Sequence, residues 1–279
     1  MIKQKHQKKN NREPRTVIFM SVDISGSTSV KDSMHVHHHK PVWLEPFEAF
    51  FSDFPERLLV EIDLVFADKK KKADVYVWKL IGDEIVFKFN PGSVDEAVRV
   101  VKAFYKSIVD YDEELFKRWP LRVKGTVWAA AFLERNIEIK IPERMHWKDS
   151  DQAIHTDYLG PDVDTGFRIA HYAPAGGVII SLNLAEAIAN SEEQSGLNFH
   201  YVGREVLKGV FSGRPYPLIF LSHSECMPNL WQWEDTDDEH SKLFVEKPPM
   251  KPGELIELSE KIRTYLNRMC HLNLAPLRF

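Results

Sequence analysis

The sequence predicts an α+β fold with a ferredoxin-like βαββαβ core and a C-terminal extension. Three observations predict it. A strand-like segment is followed by a helical pattern, two β-rich arms then meet at a turn, and a second helical pattern leads into another strand. This order is that of the split βαβ unit, in which a hairpin lies in the middle of the chain order.

The first two elements are predicted by a change of period. Residues 17–24 are apolar and β-branched, which predicts a buried strand. In "EPFEAFFSDFPERLLVEIDLVF" (45–66) the apolar residues recur at helical spacing, and Pro55 is a point where the helix can kink. A strand followed by a helix is therefore expected.

The middle of the chain predicts a hairpin, a helix and a strand. The segment "VYVWKLIGDEIVFKF" (75–89) has two β-rich arms that meet at Gly82-Asp83. The next segment, 91–116, starts with Pro-Gly and offers Ser93 as a helix cap before apolar residues repeat every three or four positions. The segment "LRVKGTVWAAAFL" (121–133) then predicts another strand.

The remaining chain is less regular. The hydrophilic insertion at 134–156 receives no assignment. From Gly160 we expect a short helix, a strand at 177–181, a second helix and two further strands. The segment after about Ser224 is rich in proline and acidic residues, which predicts irregular chain before a terminal helix over 254–268. We expect a basic flexible tail over 1–14, a single catalytic domain over 15–224, and an extension over 225–279.

Composition excludes several classes of protein. The chain has 279 residues and 43% hydrophobic content, enough for a substantial core. It contains no apolar run that would span a bilayer and no secretory segment at its N-terminus. Cys226 and Cys270 offer neither a disulfide framework nor a CxxC pair. A net charge of -4 argues against nucleic-acid binding, even with the basic N-terminus. We therefore expect a cytoplasmic protein with free thiols and neither a membrane nor a nucleic-acid partner.

Two aspartates stand at positions where strands end. Asp23 ends the first strand and Asp83 lies at the tip of the hairpin, which should pair beside that strand. Carboxylates suit hard divalent cations that bind beside substrate phosphates. The small residues after Asp23 offer unpaired N–H groups that suit phosphate oxygens; they are Ser25, Gly26, Ser27 and Thr28. The alternative is that Asp23 or Ser25 caps a helix and Asp83 forms a turn.

Several motifs together resemble those of class III nucleotidyl cyclases. They are "VDISGST", "KLIGDE", "DYLGPDVDTGFR" and "LKG", and they run from Val17 to about Ser222. The resemblance implies that Asp23, the backbone carbonyl of Ile24, and Asp83 hold two divalent ions, Mg²⁺ or Mn²⁺. It implies a nucleoside triphosphate as substrate.

The same resemblance implies roles for five further residues. Lys79 and Asp157 would read the base, Arg168 would stabilise the transition state, and Lys208 would bind the triphosphate. Asp164 stands where the family has asparagine, so it keeps an acceptor but loses the amide donor. The positioning of the ribose is therefore in doubt. Since the family takes the metal and base-reading sets from different subunits, a head-to-tail homodimer with composite sites is implied.

The base is not fixed by Lys79 and Asp157 alone. Lys79 offers a donor and Asp157 an acceptor, which suits adenine or cytosine. Uracil presents its donor and acceptor in the reverse order, and a small shift of the base would accommodate it. A pyrimidine leaves part of a purine-sized pocket empty, and a bulky side chain must fill that part of the pocket. Candidates for that filling occur near the start of the helix at 45–66: Trp43, Phe47, Phe50, Phe51 and Phe54. Some of these belong to the core.

With its lack of sensor or membrane domains, the chain looks most like the pyrimidine cyclases of bacterial Pycsar antiphage systems. This implies UTP or CTP as substrate, with UTP slightly favoured, and a separate effector that responds to the cyclic product. An adenylate cyclase and a catalytically silent nucleotide-binding or dimerisation module stay open as alternatives. A palm-type polymerase or diguanylate cyclase is disfavoured, because the hairpin tip reads "GDE" without a GG[DE]EF signature.

Two other features have simpler interpretations. The histidines of "MHVHHHKP", which are His35, His37, His38 and His39, invite a metal site. Adjacent histidines on a loop cannot easily all face one ion, so a polar surface loop is the favoured reading. Trp231 and Trp233 are expected to pack the C-terminal extension onto the body.

Overall fold

A computed structural model of the chain describes residues 15–33, 36–37, 40–41, 43–69, 72–132, 135–142, 154–194, 196–228 and 239–279. Three expectations lie outside these residues: the basic tail over 1–14, the packing of Trp231 and Trp233, and the environment of the histidine cluster.

The chain forms eleven strands and seven α-helices within the described residues. The strands are β1 (Arg15–Ser25), β2 (Val36–His37), β3 (Lys40–Pro41), β4 (Val75–Ile81), β5 (Glu84–Phe89), β6 (Arg122–Phe132), β7 (Ile137–Pro142), β8 (Ile154–Leu159), β9 (Val178–Ile180), β10 (Leu197–Glu205) and β11 (Tyr216–His223). The helices are α1 (Ser27–Ser33), α2 (Leu44–Val65), α3 (Val94–Arg118), α4 (Pro161–Ile169), α5 (Leu182–Ala189), α6 (Glu239–Glu246) and α7 (Pro252–Cys270).

Seven strands form one mixed sheet in the order β10-β11-β9-β6-β1-β5-β4. All neighbours are antiparallel except β6 and β9, which are parallel. The predicted hairpin is present as β4 and β5, with its turn at Gly82-Asp83, and it pairs with β1 through β5. The α+β class is confirmed.

Alternate residues of β1 enter two different cores, as the two-residue period of a strand requires. Ile18, Met20 and Val22 belong to the large core that includes α2 and α3. Val17 and Phe19 face the other side, where a smaller cluster includes Trp128 of β6 and Val163 of α4. Asp23 continues the second row and therefore lies on the α4 side of the sheet.

Helices α2 and α3 form close to their predicted bounds. Ser93 caps α3, because its hydroxyl accepts the Glu96 N–H at 3.2 Å. Helix α2 continues through Pro55, and its buried residues include Phe50 and Phe54. The predicted helix boundaries therefore hold closely at both helices.

The structure adds three features that the sequence did not predict: the short β2–β3 pair, the β7–β8 hairpin and helix α6. The insertion at 134–156 contributes β7 and β8, which pair as an antiparallel hairpin from Ile137↔Leu159 to Pro142↔Ile154. The expectation of irregular chain up to the terminal helix was wrong in part, since α6 forms within it. Phe244 of α6 is buried against the rings of His200 and Phe220. Tertiary packing therefore stabilises a helix that the local sequence does not predict.

The terminal helix is present and slightly longer than predicted. Helix α7 packs on α5, where Arg263 donates to both carboxylate oxygens of Glu186 at 2.9 and 2.7 Å. The hydroxyl of Ser259 donates to the same carboxylate at 2.6 Å. Cys226 and Cys270 are free thiols, as expected. Within the described residues, no helix is both long and apolar enough to cross a membrane.

Candidate active site

The pairing of three strands builds a row of charged side chains across the sheet. Asp23 of β1 lies opposite Glu84 of β5 and opposite Lys124 of β6. Residues directly opposite in antiparallel strands project to the same face, so all three side chains share the α4 side. Asp83 occupies the turn directly before Glu84. We refer to Asp23, Asp83, Glu84 and Lys124 together as the acid row. The strand register therefore places Asp83 at the same end of the sheet as Asp23.

The carboxyl groups of this row affect one another. Burial raises the pKa of Asp23, Lys124 opposes that rise, and the charge of Asp83 adds to it. Burial also raises the pKa of Glu84; a hydrogen bond with Ser21 opposes the rise, and the charges of Asp23 and Asp83 add to it. Crowded carboxylates of this kind are poised to accept a cation, which would relieve their mutual repulsion.

The donor chemistry of the row suits Mg²⁺ or Mn²⁺ bound together with a phosphate substrate. Among the described residues, no group of three or more His, Cys, Asp or Glu side chains is arranged to hold a metal ion by itself. Mg²⁺ is commonly held by one or two carboxylates, with substrate phosphates and waters completing its shell. Asp23 and Asp83 fit that pattern. The side chain of Ile24 is buried in the large core, so only its backbone can face the site.

The chain turns sharply after Asp23. Gly26 has a φ of 78°, a left-handed conformation that favours glycine, and α1 begins at the next residue. Its carbonyl accepts the Val30 N–H at 3.3 Å. The backbone of Ser25, Gly26, Ser27 and Thr28 thus directly follows Asp23 and Ile24 in the chain and leads into α1.

Lys79 and Asp157 are in direct contact. The Lys79 Nζ donates to Asp157 Oδ1 at 2.8 Å, and the Tyr158 N–H donates to the same oxygen at 2.9 Å. Burial alone would raise the pKa of Asp157, but these hydrogen bonds lower it overall. Lys79 also lies 4.0 Å from the centre of the Trp78 ring. The two residues expected to read a base are brought together from β4 and β8.

Asp164 and Arg168 project from the exposed side of α4. The Asp164 N–H donates to the Gly160 carbonyl at 2.9 Å, but neither side chain makes a hydrogen bond or ion pair with any residue that the structure describes. An i,i+4 salt bridge between Asp164 and Arg168 is therefore not observed. The opposite side of α4 is fixed against the sheet through Gly166, which packs on the ring of Trp128. Asp162 anchors the start of the helix by an ion pair with Arg135 at 3.0 Å.

Lys208 lies in the turn between β10 and β11 and is exposed. Within the described chain it contacts no carboxylate. No hydrogen bond or ion pair between described residues joins the acid row to Lys79, Asp157, Asp164, Arg168 or Lys208. Within the described residues, the acid row and this second set of candidate residues therefore make no direct polar contact with one another.

The aromatic residues near α2 divide into two groups. Phe50 and Phe54 are completely buried and contact Tyr111, so they belong to the core. Phe47 lies near α1, with Lys31 Nζ 4.5 Å from its ring centre, and it contacts the half-buried Trp43. Phe47 is nevertheless part of the large core, where it is 6% exposed, and Phe51 packs against the same core. Phe47 is therefore a core residue that also borders α1.

Glu84 and Lys124 were missed from the sequence. Glu84 was visible in the "GDE" tip, where the alternation of the strand places it on the same face as Asp23 once the register is known. Lys124 gave no such signal, because its strand lies far along the chain and only the β1–β6 pairing brings it to Asp23.

No family model and no curated protein match the chain. Solved structures do. The adenylyl cyclase CyaB from P. aeruginosa aligns over 76% of this chain and 96% of its own, with 15% identity and a TM-score of 0.55. The guanylyl cyclase Cya2 aligns over 78% of this chain and 98% of its own, with 15% identity and a TM-score of 0.50. A similarity at this level of identity establishes the fold, and the chain therefore has the fold of class III adenylyl and guanylyl cyclase catalytic domains.

Proposed function

We propose that this protein is a nucleotidyl cyclase that converts a pyrimidine nucleoside triphosphate, UTP or CTP, into its 3′,5′-cyclic nucleotide and pyrophosphate. The observation that carries the proposal is the row built around Asp23, with Asp83 at the adjoining hairpin tip, in a fold shared with adenylyl and guanylyl cyclases. A module used only for pairing would have no need of such a row.

The proposed roles follow from the chemistry of each group. Asp23, Asp83 and the Ile24 carbonyl would hold divalent ions, which when bound lower the pKa of the ribose 3′-hydroxyl and neutralise the departing pyrophosphate. The loop from Ser25 to Thr28 would accept phosphate oxygens on its backbone N–H groups. Arg168 would stabilise the charge that develops on the α-phosphate.

The second set of residues supports an active site shared between two protomers. Asp164, Arg168 and Lys208 are exposed, and no hydrogen bond or ion pair between described residues joins them to the acid row of their own chain. We propose a head-to-tail homodimer in which one protomer supplies the acids and its partner supplies the base-reading pair, Arg168 and Lys208. Each dimer would then hold two equivalent sites.

The preference for a pyrimidine rests on the resemblance and on the aromatic residues that border α1. Lys79 offers a donor and Asp157 an acceptor, and Trp43 and Phe47 supply bulk that a smaller base would require. In this proposal the enzyme works in the cytoplasm, and its product activates a separate effector during antiphage defence. An adenylate cyclase is the second candidate, since the same polar pair fits adenine.

Incubation of the purified protein with each of the four NTPs and Mn²⁺ tests this proposal. We expect UTP or CTP to be converted to a cyclic nucleotide and pyrophosphate, as resolved by chromatography. Exclusive conversion of ATP would replace the pyrimidine assignment with the adenylate cyclase.

A pair of variants separates an enzyme from a silent module. Asp23→Ala should abolish turnover while the dimer survives, because the metal set is incomplete. Asp74→Ala removes an exposed acid that directly precedes β4, and it should leave turnover unchanged. If the wild-type protein and both variants convert no NTP, the silent nucleotide-binding module is the better description.

A further inference from the structure

Lys124 is a charged residue of the acid row for which the proposed function has no role. Its Nζ lies 3.5 Å from Asp23 Oδ2, and the two side chains are 21% and 33% exposed. The contact is imposed by the sheet, because Lys124 is the residue directly opposite Asp23 in the β1–β6 register. The contact therefore does not depend on a flexible loop.

The charges around Lys124 are unbalanced. Asp23, Asp83 and Glu84 bring three carboxylates to this end of the sheet, and Lys124 is the cation that acts on both Asp23 and Glu84. An ammonium held against Asp23 occupies the neighbourhood where a divalent ion would bind that same carboxylate. A cation fixed in this way repels a second cation at short range.

We propose that Lys124 is a built-in counter-ion that competes with the divalent metal for Asp23 and so sets the metal affinity of the nucleotide-free protein. This inference rests on the proposed function, because it takes Asp23 as a metal ligand. Lys124 would act on the metal indirectly, through its contact with the Asp23 carboxylate.

The competition has a direct consequence for the nucleotide-free protein. With Lys124 in place, the metal must displace an ion pair before it can use both oxygens of Asp23. Removal of the ammonium leaves the three carboxylates without that counter-ion and strengthens their attraction for Mn²⁺. We expect the metal to bind the neutral variant more tightly even when no substrate is present.

Mn²⁺ binding to the nucleotide-free protein, measured by electron paramagnetic resonance of the free ion, tests the inference. Lys124→Met keeps the aliphatic stem, and it should bind Mn²⁺ about tenfold more tightly than the wild type. Lys124→Gln should behave in the same way. Lys124→Arg keeps the charge and should retain the wild-type affinity. Lys72→Met serves as the matched control, since Lys72 is paired with Asp63 at 2.8 Å on an exposed surface.

The double variant Lys124→Met/Asp23→Asn identifies the site of binding, and it should lose the gain in affinity. An unchanged or weaker affinity in both neutral variants would overturn the inference, as would a gain that survives the loss of the Asp23 charge. Failure to detect Mn²⁺ binding in any variant would overturn it as well. Because no NTP is present, these outcomes are separate from the turnover that decides the proposed function.

Discussion

At the scale of single residues, the candidate site depends on charges placed by strand register. The row from Lys124 through Asp23 to Glu84 crosses three strands, so each member is fixed by backbone pairing. Lys79 and Asp157 are different, because a hydrogen bond between side chains joins β4 to β8. This pair links the main sheet to the β7–β8 hairpin and should therefore contribute to stability as well as to base recognition.

Replacement of Lys79 by methionine measures that contribution. Both side chains of the pair are less than one third exposed, and we expect Lys79→Met to lower the free energy of unfolding at neutral pH by about 1 kcal/mol. The lowered pKa of Asp157 makes this contribution present above the ordinary value of 3.8 and lost as the pH falls through the folded-state pKa. Urea unfolding at pH 7 and at a series of lower pH values should therefore show the difference shrinking as the pH falls below 3.8.

A matched lysine controls for the general loss of a surface charge. Lys117 is paired with Glu113 one helical turn away, and both side chains are more than half exposed. Lys117→Met should cost only about 0.3 kcal/mol. Equal losses in the two variants, or a Lys79→Met loss that persists in acid, would contradict the importance assigned to the Lys79–Asp157 pair.

At the scale of elements, α4 is positioned by close contact with the sheet. A Cβ atom added at Gly166 would lie 2.2 Å from the ring of Trp128, so the helix can approach β6 only because this residue is glycine. Asp162 fixes the start of the same helix through Arg135 and Asn136. The exposed side chains of Asp164 and Arg168 are therefore carried on a helix with little freedom to shift.

Gly166→Ala tests this dependence. The added methyl group must push α4 away from Trp128, and we expect a loss of about 1–3 kcal/mol in unfolding free energy. Turnover should fall further than the population of unfolded protein explains, because Arg168 moves with the helix. Thermal unfolding and steady-state turnover, measured side by side, provide the readout.

Gly253→Ala provides the corresponding control in a helix. Gly253 lies in the first turn of α7, and a Cβ atom there would meet nothing within 4 Å. Since alanine is the better helix former, this variant should be neutral or more stable by up to about 1 kcal/mol. A Gly166→Ala protein that behaves like Gly253→Ala would show that α4 does not depend on the close contact.

At the scale of the whole molecule, the proposed dimer determines how the two sets of candidate residues would meet. The acid row is joined by no hydrogen bond or ion pair to Arg168 or Lys208 among the described residues, and a shared site between two protomers follows from the proposed dimer. Such an arrangement predicts that two different defects can complement one another in a mixed dimer.

Mixtures of Asp23→Ala and Arg168→Ala subunits test the shared site. Each variant alone should be inactive, because every site lacks one essential group. After random exchange of subunits, half of the dimers are mixed and each has one intact site, so about a quarter of wild-type turnover should return. Size-exclusion chromatography checks that both variants remain dimeric. A mixture of dimeric variants that stays inactive would argue for sites built within one chain.

Elements with strong local signals were predicted from the sequence, whereas elements stabilised by distant contacts were not. The β4–β5 hairpin and α3 were predicted because turn residues, a helix cap and apolar periodicity lie close together in the chain. The β7–β8 hairpin and α6 were not, since their stability comes from contacts with distant segments. Phe244 of α6, for example, is buried only because His200 and Phe220 meet it.

The sequence by itself determined the α+β class, the hairpin with Asp83 at its tip, and the motif spacings that resemble those of nucleotidyl cyclases. These properties are local, because periodicity, turn chemistry and spacing act over a few residues. Only the tertiary structure decided that Lys124 faces Asp23, that Lys79 binds Asp157, and that Phe50 and Phe54 are core residues. Strand register and side-chain burial join residues far apart in the chain, and no local pattern specifies which distant residues will meet.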